Sequence, residues 1–507
     1  MTFGLTGKNL VGQLLSHQGK KTFRAVDPST GELIEPSFYI ATESEVSEAV
    51  NASAHAHPVL QRKSGKEIAK LLQAISENLQ SIRSSILSRY MLESGLDANR
   101  AAFEFQRTLL QIAQYEQVAL AQDWRCPSID TGIENGTRKH PDIRKMNIGI
   151  GPVVVFGASN FPLAYSTAGT DTISALSAGC PVIVKAHPFH PGTSELVAGC
   201  IQQAVSKCDF PAGTFSHLFD DGYSVARQLV LDPIIKAVGF TGSESGGRAL
   251  FDLAQTRLEP IPVFAEMGSC NPVVILPEDI KDSGVDWSVQ LANSITQGSG
   301  QFCTKPGLIF TIDTPATEEF ITVLTRQIMA SEEHVMLHPQ IAEKYKHNLQ
   351  EIHDAGIEMS TSSNTLSPTG TIAISRCTGT AFLINPTLQR EVFGPFALLI
   401  SCTSYAEFER CLLSLRGQLT ASIFCSESEL LEQAVIVDAL RKIAGRVIFN
   451  GVPTGVTVCP SMHHGGPYPA ATDSRFTSVG IDAICRFSRP QVFQNWPDNA
   501  LPDALDR

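Results

Sequence analysis

Apolar residues recur at three- and four-residue spacing through 44–56, 64–81 and 98–122, which predicts a largely helical stretch over 43–121. Ser64 stands where an N-cap belongs, and Asp97 directly precedes the last of these segments. The pattern then changes. Residues 123–147 are polar and punctuated by Pro and Gly, which predicts an exposed excursion or hairpin. From 148 the chain alternates. Apolar, β-branched runs at 152–156, 181–185 and 235–240 read as buried strands, with helical patterns at 163–178, 193–207 and 223–231 between them. A second series follows, with strands near 272–276, 307–312, 397–402, 421–425 and 446–449 and helices near 286–298, 316–330 and 427–442. Strand and helix in alternation predict parallel, doubly wound sheets in two α/β domains, with a boundary near 250–270. Gly and Pro crowd 450–470, as a loop requires. The tail from 483 reads as a strand, placed at a sheet edge by Pro490.

Composition narrows the function classes. The chain has 507 residues, 43% hydrophobic and 18% charged, so it is globular and too long for a single core. A formal charge of −12 disfavours nucleic acid and anionic membranes as partners. No apolar run is long enough for a membrane span, and the start lacks secretory features, so a cytoplasmic protein with small-molecule partners is expected. The 12 cysteines include no CxxC pair, and no metal or disulfide framework is expected. Most read as small buried hydrophobes in a reducing compartment.

One cysteine stands apart. Cys303, in GQFCTKPG, is flanked by glycine, threonine and lysine, as an activated thiolate nucleophile would be. GASNFP offers Asn160, FAEMGS offers Glu266, and GFTGSESGG follows a strand and opens a helix, with Gly242 for close approach and Ser243 as a donor to a pyrophosphate. Lys185 ends the apolar run PVIVK, where ligands of open α/β sheets bind. Taken singly, each has a plain alternative: a tight turn, a strand-capping lysine, a solvated carboxylate, a turn asparagine.

Together the segments GPVVVFGASNFPLA, AGCPVIVKAHP, AVGFTGSESGG, FAEMGSCNPVVI, GQFCTKPG, EVFGPF and FNGVPTGV resemble, in order and spacing, the aldehyde dehydrogenase superfamily. The run from SNFPLA to SELV is most similar to the α-ketoglutaric semialdehyde (2,5-dioxovalerate) dehydrogenases and to bacterial NADP-linked fatty aldehyde dehydrogenases. The resemblance implies a Rossmann-type cofactor domain (1–122 and 148–265), an α/β catalytic domain (266–449) and a small β bridging or oligomerisation element (123–147 and 483–498). Residues 450–482 would then form a substrate-mouth loop and return to the cofactor domain. It further implies that Cys303 is the nucleophile, Glu266 the general base and Asn160 the oxyanion amide. Lys185, Gly242, Ser243, Glu391 and Phe393 would contact the cofactor. The implied reaction oxidises an aldehyde to its acid through a thiohemiacetal and thioester.

Two features refine that expectation. Pro188 stands where NAD-preferring members carry a glutamate, which points toward NADP over NAD, although Asp220 and Asp221 lie near the adenosine end. A dicarboxylic semialdehyde needs a cation for its distal carboxylate, and Arg144, Arg107 and Arg475 are the candidates. If no cation lines the pocket, a fatty aldehyde becomes the better substrate. His463, His464 and Cys459 lie in the mouth loop, where hydrogen bonding alone is as good an explanation as substrate contact. Phe161 and Phe302 are expected to pack. A cofactor-independent thiol hydrolase is the alternative of another class, and it would need a histidine base held by Asn or Asp, a role that no motif around the 13 histidines suggests. A homodimer, or a tetramer built on it, is expected from the tail strand and the 123–147 excursion.

Overall fold

The computed structural model describes residues 4–135, 138–362 and 370–505. The first sheet has seven strands in the order Val263–Glu266, Ala237–Thr241, Val153–Phe156, Val182–Lys185, Phe215–Leu218, Asn9–Val11 and Leu14–Ser16. Its first five strands run parallel and the N-terminal pair is added antiparallel. Strands Val153–Phe156 and Val182–Lys185 are buried along their whole length, as the continuous apolar runs require. Lys185 and Glu266 therefore both occupy the carboxyl ends of parallel strands.

The second sheet also has seven strands: Met359–Thr361, Ala373–Thr378, Phe396–Cys402, Leu308–Ile312, Val273–Ile275, Gln418–Phe424 and Ala444–Phe449. All pair in parallel except Met359–Thr361. The chain crosses from one sheet to the other between Glu266 and Val273. A third, antiparallel sheet pairs Ser128–Asp130 and Ser488–Gln494 with the two sides of Ile143–Gly149. Pro490 sits on its edge strand, where a missing N–H costs no ladder bond.

The helices follow their local signals. Ser64 caps Gly65–Ser81 in a reciprocal box with Glu67, and Asp97 accepts from the Arg100 N–H at the head of Ala98–Ala121. Three expectations need correcting. The helix expected over 163–178 is confined to Thr170–Ser177, because the SNFPLA segment folds into turns stitched to Glu104. The helix expected over 427–442 is broken into Glu427–Glu432 and Ala434–Ile443. The tail begins as a 3-10 turn, Ile481–Phe487, and becomes a strand only at Ser488. The excursion at 123–147 holds short strands on either side of 136–137, which lie outside the described residues.

Candidate active site

Helix Ala98–Ala121 turns an unusual face inward. Arg100, Glu104, Arg107, Gln111 and Gln114 recur at four- and three-residue spacing, so they form one stripe along it. All five are polar, and each is hydrogen-bonded. Glu104, fully buried, accepts from the backbone N–H groups of Leu163 and Ala164 at 2.8 and 3.0 Å and so fixes the turn after Asn160. Arg100 donates to the Asn160 carbonyl at 3.2 Å, and its guanidinium lies 4.4 Å from the ring centres of both Phe161 and Phe302. Those phenylalanines therefore clamp a cation as well as pack. Arg107 donates to the Tyr165 hydroxyl at 3.0 Å and to the Val456 carbonyl, and Gln114 donates to the Val458 carbonyl, which ties the mouth loop to the helix.

The Cys303 loop is held by backbone geometry that its glycines permit. Gly298, Ser299 and Gly300 all have positive φ. A Cβ on Gly300 would lie 2.3 Å from the Gly394 carbonyl oxygen, so the loop lies hard against the EVFGPF segment. Asn271 donates to the Cys303 carbonyl at 2.8 Å and to the Lys305 carbonyl at 3.0 Å. The Gln301 side chain, buried, accepts from Leu337 N–H at 3.0 Å, and its carbonyl accepts from the Asn160 amide at 3.0 Å. One Asn160 N–H is thus committed, which fixes the orientation of the amide's other N–H.

Three titratable groups converge at this point. His464 Nε2 is 3.5 Å from Cys303 Sγ and 3.7 Å from Glu266 Oε1. Cys303 is part-buried, whereas Glu266 and His464 are only 3% and 2% exposed. Neither Glu266 carboxylate oxygen has a hydrogen-bond partner. Burial pushes the Glu266 carboxyl up to about 8, with the adjacent thiol pulling the other way. Burial, reinforced by Arg446, Arg107 and His463, pushes His464 down to about 3, so its imidazole is neutral. Burial also raises the Cys303 thiol well above its usual range, and Glu266 and Glu391 add to the effect. The resting state is therefore a thiol beside a neutral imidazole and a carboxyl poised near neutrality.

Among the candidate cations, the structure separates one from the others. Arg144 is spent on Asp142, Asp498 and the Leu505 carbonyl in the third sheet, and Arg475 is an exposed partner of Asp473. Arg107 is buried against the site, and Arg446, which sequence reasoning overlooked, joins it: both act electrostatically on His464. Each keeps a buried Nε with no partner. Arg446 went unnoticed because it lies in a strand, Ala444–Phe449, whose pattern signals only sheet.

The residues expected to contact the cofactor lie on three separate segments. Lys185 is buried, and burial lowers its ammonium while Asp220 and Asp221 oppose. Asp220 is itself committed to its own turn, accepting from the N–H groups of Gly222 and Val225. Ser243 caps helix Glu244–Gln255 by accepting from Gly246 N–H, and a Cβ on Gly242 would come within 2.7 Å of the Phe240 ring. Across the cleft, Glu391 lies over Gly268, where a Cβ would meet its carboxylate at 1.9 Å. Burial raises Glu391 to about 7, with Lys305 opposing. Phe393 is half-buried in the same segment. Lys305 is a further residue that sequence reasoning left unassigned: fully buried, it donates to the Val392 and Phe396 carbonyls at 3.1 and 2.7 Å.

A profile of the aldehyde dehydrogenase family matches residues 15–468. The chain belongs to the aldehyde dehydrogenase family. It is 40% identical over 507 residues to α-ketoglutaric semialdehyde dehydrogenase 2 of Azospirillum brasilense, covering 99% of this chain and 96% of that one. The α-ketoglutaric semialdehyde dehydrogenase of Acinetobacter baylyi is 40% identical over 479 residues, 93% of this chain and 91% of that protein. Among solved structures, an NAD-dependent aldehyde dehydrogenase from Sinorhizobium meliloti superposes with a TM-score of 0.81 at 20% identity, over 96% of this chain and 94% of that one. The last likeness bears on the fold alone. This aldehyde dehydrogenase is an oxidoreductase acting on aldehydes, in a family that uses NAD(P). No helix among the described residues is long and apolar enough to cross a membrane.

Proposed function

We propose that this aldehyde dehydrogenase oxidises α-ketoglutaric semialdehyde (2,5-dioxopentanoate) to 2-oxoglutarate, with NADP preferred over NAD. The observation that carries the reading is the pair of guanidinium groups, Arg107 buried and Arg446 half-buried, that act on His464 in the Cys303–His464–Glu266 cluster. Two cations with unpartnered Nε atoms suit a substrate whose far end is a carboxylate, and they penalise an alkanal. The two semialdehyde dehydrogenases at 40% identity point the same way.

In the mechanism we infer, Cys303 attacks the aldehyde carbon. Its proton passes to His464 Nε2, which at about 3 is too weak a base to keep it, and on to Glu266, which at about 8 holds it. Asn160 and the Cys303 backbone N–H receive the oxyanion, a contribution of about 3–4 kcal/mol per donor in comparable sites. A dinucleotide held by Lys185, Ser243 and Glu391 would supply the hydride acceptor, and Cys303 would then carry the acyl group as a thioester. Once Glu266 has released that proton to solvent, it takes another from the water that attacks the thioester, Cys303 leaves as the thiolate, and the acid departs.

The residues present fit a dinucleotide. Lys185 and Ser243 stand at the carboxyl ends of the two parallel strands that flank Val153–Phe156, where ligands of open α/β sheets bind, and Glu391 with Phe393 would meet the nicotinamide end. With Pro188 in place of an acid, Lys185 would pair with a 2′-phosphate, in competition with Asp220 and Asp221, which act on the same ammonium. We assign 1–122 and 148–265 to the cofactor domain, 266–449 to the catalytic domain, 123–147 with 483–498 to a bridging element, and 450–482 to the substrate mouth. The exposed edge strands of that element support a homodimer, and the free cysteines support a cytoplasmic setting. A panel of semialdehydes and alkanals ranked by kcat/KM, each with NADP and NAD, tests the reading. A long-chain alkanal ranked first, or NAD favoured tenfold, would contradict it.

A further inference from the structure

We propose that Cys303, Glu266 and His464 also make a three-ligand site for a soft divalent cation, Zn2+ above all, and that its occupation blocks the nucleophile. One ligand atom from each residue lies within 4.8 Å of the others, the one such cluster of His, Cys and acidic groups among the described residues. The Sγ–Nε2 and Nε2–Oε1 separations are 3.5 and 3.7 Å. Tetrahedral zinc with bonds of about 2.3 Å to sulfur and about 2.0–2.2 Å to nitrogen and oxygen sets its ligands roughly 3.4–3.6 Å apart. The two pairs nearly meet that requirement before any ion arrives.

The second observation is Glu266 itself. Its carboxylate is 97% buried by its 3% exposure, aimed into the cluster, and neither oxygen has a hydrogen-bond partner. A buried unpaired carboxylate is costly, and a cation is the partner that relieves the cost most. The ligands sit on fixed supports: Glu266 ends strand Val263–Glu266, Asn271 holds the Cys303 carbonyl, and Thr477 accepts from His464 N–H. Binding releases the thiol proton, and the carboxyl proton where Glu266 carries one, to solvent. The thiolate and carboxylate then balance the two charges of the ion, and no electron moves. Three protein ligands leave the fourth position to water.

The chemistry also sets the selectivity. A thiolate and an imidazole favour Zn2+ or Cd2+, whereas Mg2+ and Ca2+ demand six or more oxygens that the cluster lacks. Arg107 and Arg446 oppose any cation, so the affinity is below that of a dedicated zinc protein. The site stands whether or not the catalytic reading holds, and only its consequence for turnover rests on that reading.

The test uses the full-length protein freed of metal, in a Cys126→Ser/Cys485→Ser background that removes the two exposed thiols. Equilibrium dialysis against Zn2+ is expected to give one ion per chain, and Co2+ a thiolate-to-cobalt charge-transfer band of a four-coordinate centre. Cys303→Ser and His464→Asn should each weaken Zn2+ by at least about 10–100-fold, the loss typical even of a ligand's outer partner, and abolish the band. Should either variant fail to fold, wild-type protein decides: Zn2+, but not Mg2+, should protect the Cys303 peptide from alkylation, reversibly on adding a chelator. Zinc bound with undiminished affinity by His464→Asn, a cobalt spectrum without the thiolate band, or unprotected Cys303 at saturating Zn2+ would overturn the proposal. Loss of turnover with zinc bound elsewhere would do so too.

Discussion

His464 and Cys303 lie 161 positions apart in sequence, yet their Nε2 and Sγ atoms are 3.5 Å apart, and the same nitrogen is 3.7 Å from Glu266. A neutral imidazole in that place bridges a thiol that burial keeps protonated and a carboxyl that burial makes a stronger base. In the proposed mechanism it carries the first proton. His464→Ala should therefore lower kcat/KM by about 100-fold, the lower range for loss of a positioned proton-transfer group. It should slow iodoacetamide alkylation of Cys303 in parallel. Alkylation at the wild-type rate would show that the histidine is only a structural neighbour.

Glu266 makes a prediction about stability as well as rate. Its carboxyl sits at about 8 in the folded chain against an ordinary value of 4.5. A raised acid favours folding below the unfolded value and loses that advantage as pH rises through the folded one. Between about pH 4.5 and 8 the wild type should thus lose stability from this group, at up to about 1.4 kcal/mol per unit. Glu266→Gln should gain on the wild type in Tm progressively across that window, and the gain should level off above it. Differential scanning calorimetry at several pH values measures this. A Tm difference independent of pH would refute it. In kinetics, the wild-type kcat/KM should rise with pH through the same midpoint, and the variant should lack that limb.

Arg446 tests the substrate assignment. Replacing it by Met should raise KM for a carboxylated semialdehyde by roughly 10–100-fold, the value of a charged hydrogen bond worth about 1.5–3 kcal/mol. The same change should leave a short uncharged alkanal unaffected or improved. Equal losses on both substrates would remove the arginine from the carboxylate site.

Lys305 ties the nucleophile loop to the segment bearing Glu391. Lys305→Met leaves two buried carbonyls without their donor, at a cost of about 1–3 kcal/mol each. The expected outcome is a Tm several degrees lower and weaker NADPH binding, read by the quenching of protein fluorescence. Binding of 2′-phospho-ADP-ribose, which lacks the nicotinamide half, should be spared. Loss of both ligands together would show general damage to the fold.

Much of the architecture was legible from period alone. The runs that became Val153–Phe156, Val182–Lys185 and Leu308–Ile312 are continuously apolar because both faces of these strands are covered. The 163–178 segment misled because its apolar residues serve buried turns rather than a helix face, with Glu104 on a different helix satisfying their backbone. Cys303, Glu266 and Asn160 were legible through their ordered motifs. Arg446 and Lys305 were not, since their roles arise from tertiary neighbours that no local spacing encodes. The stripe from Arg100 to Gln114 was the missed signal: polar residues at helical spacing on the face that turned out to be buried. His464 was visible only as one of two loop histidines, and its distance to Cys303 gave it a role.

The central claim is covalent catalysis by Cys303 on a carboxylated semialdehyde. Acid-quenching the enzyme during the first turnover with α-ketoglutaric semialdehyde and NADP, followed by peptide mass analysis, tests it most directly. The account predicts an acyl adduct on the peptide carrying Cys303, formed in step with the burst of NADPH and absent from Cys303→Ala, which makes no NADPH. A burst with no adduct on that peptide, or NADPH formation by Cys303→Ala, would contradict it.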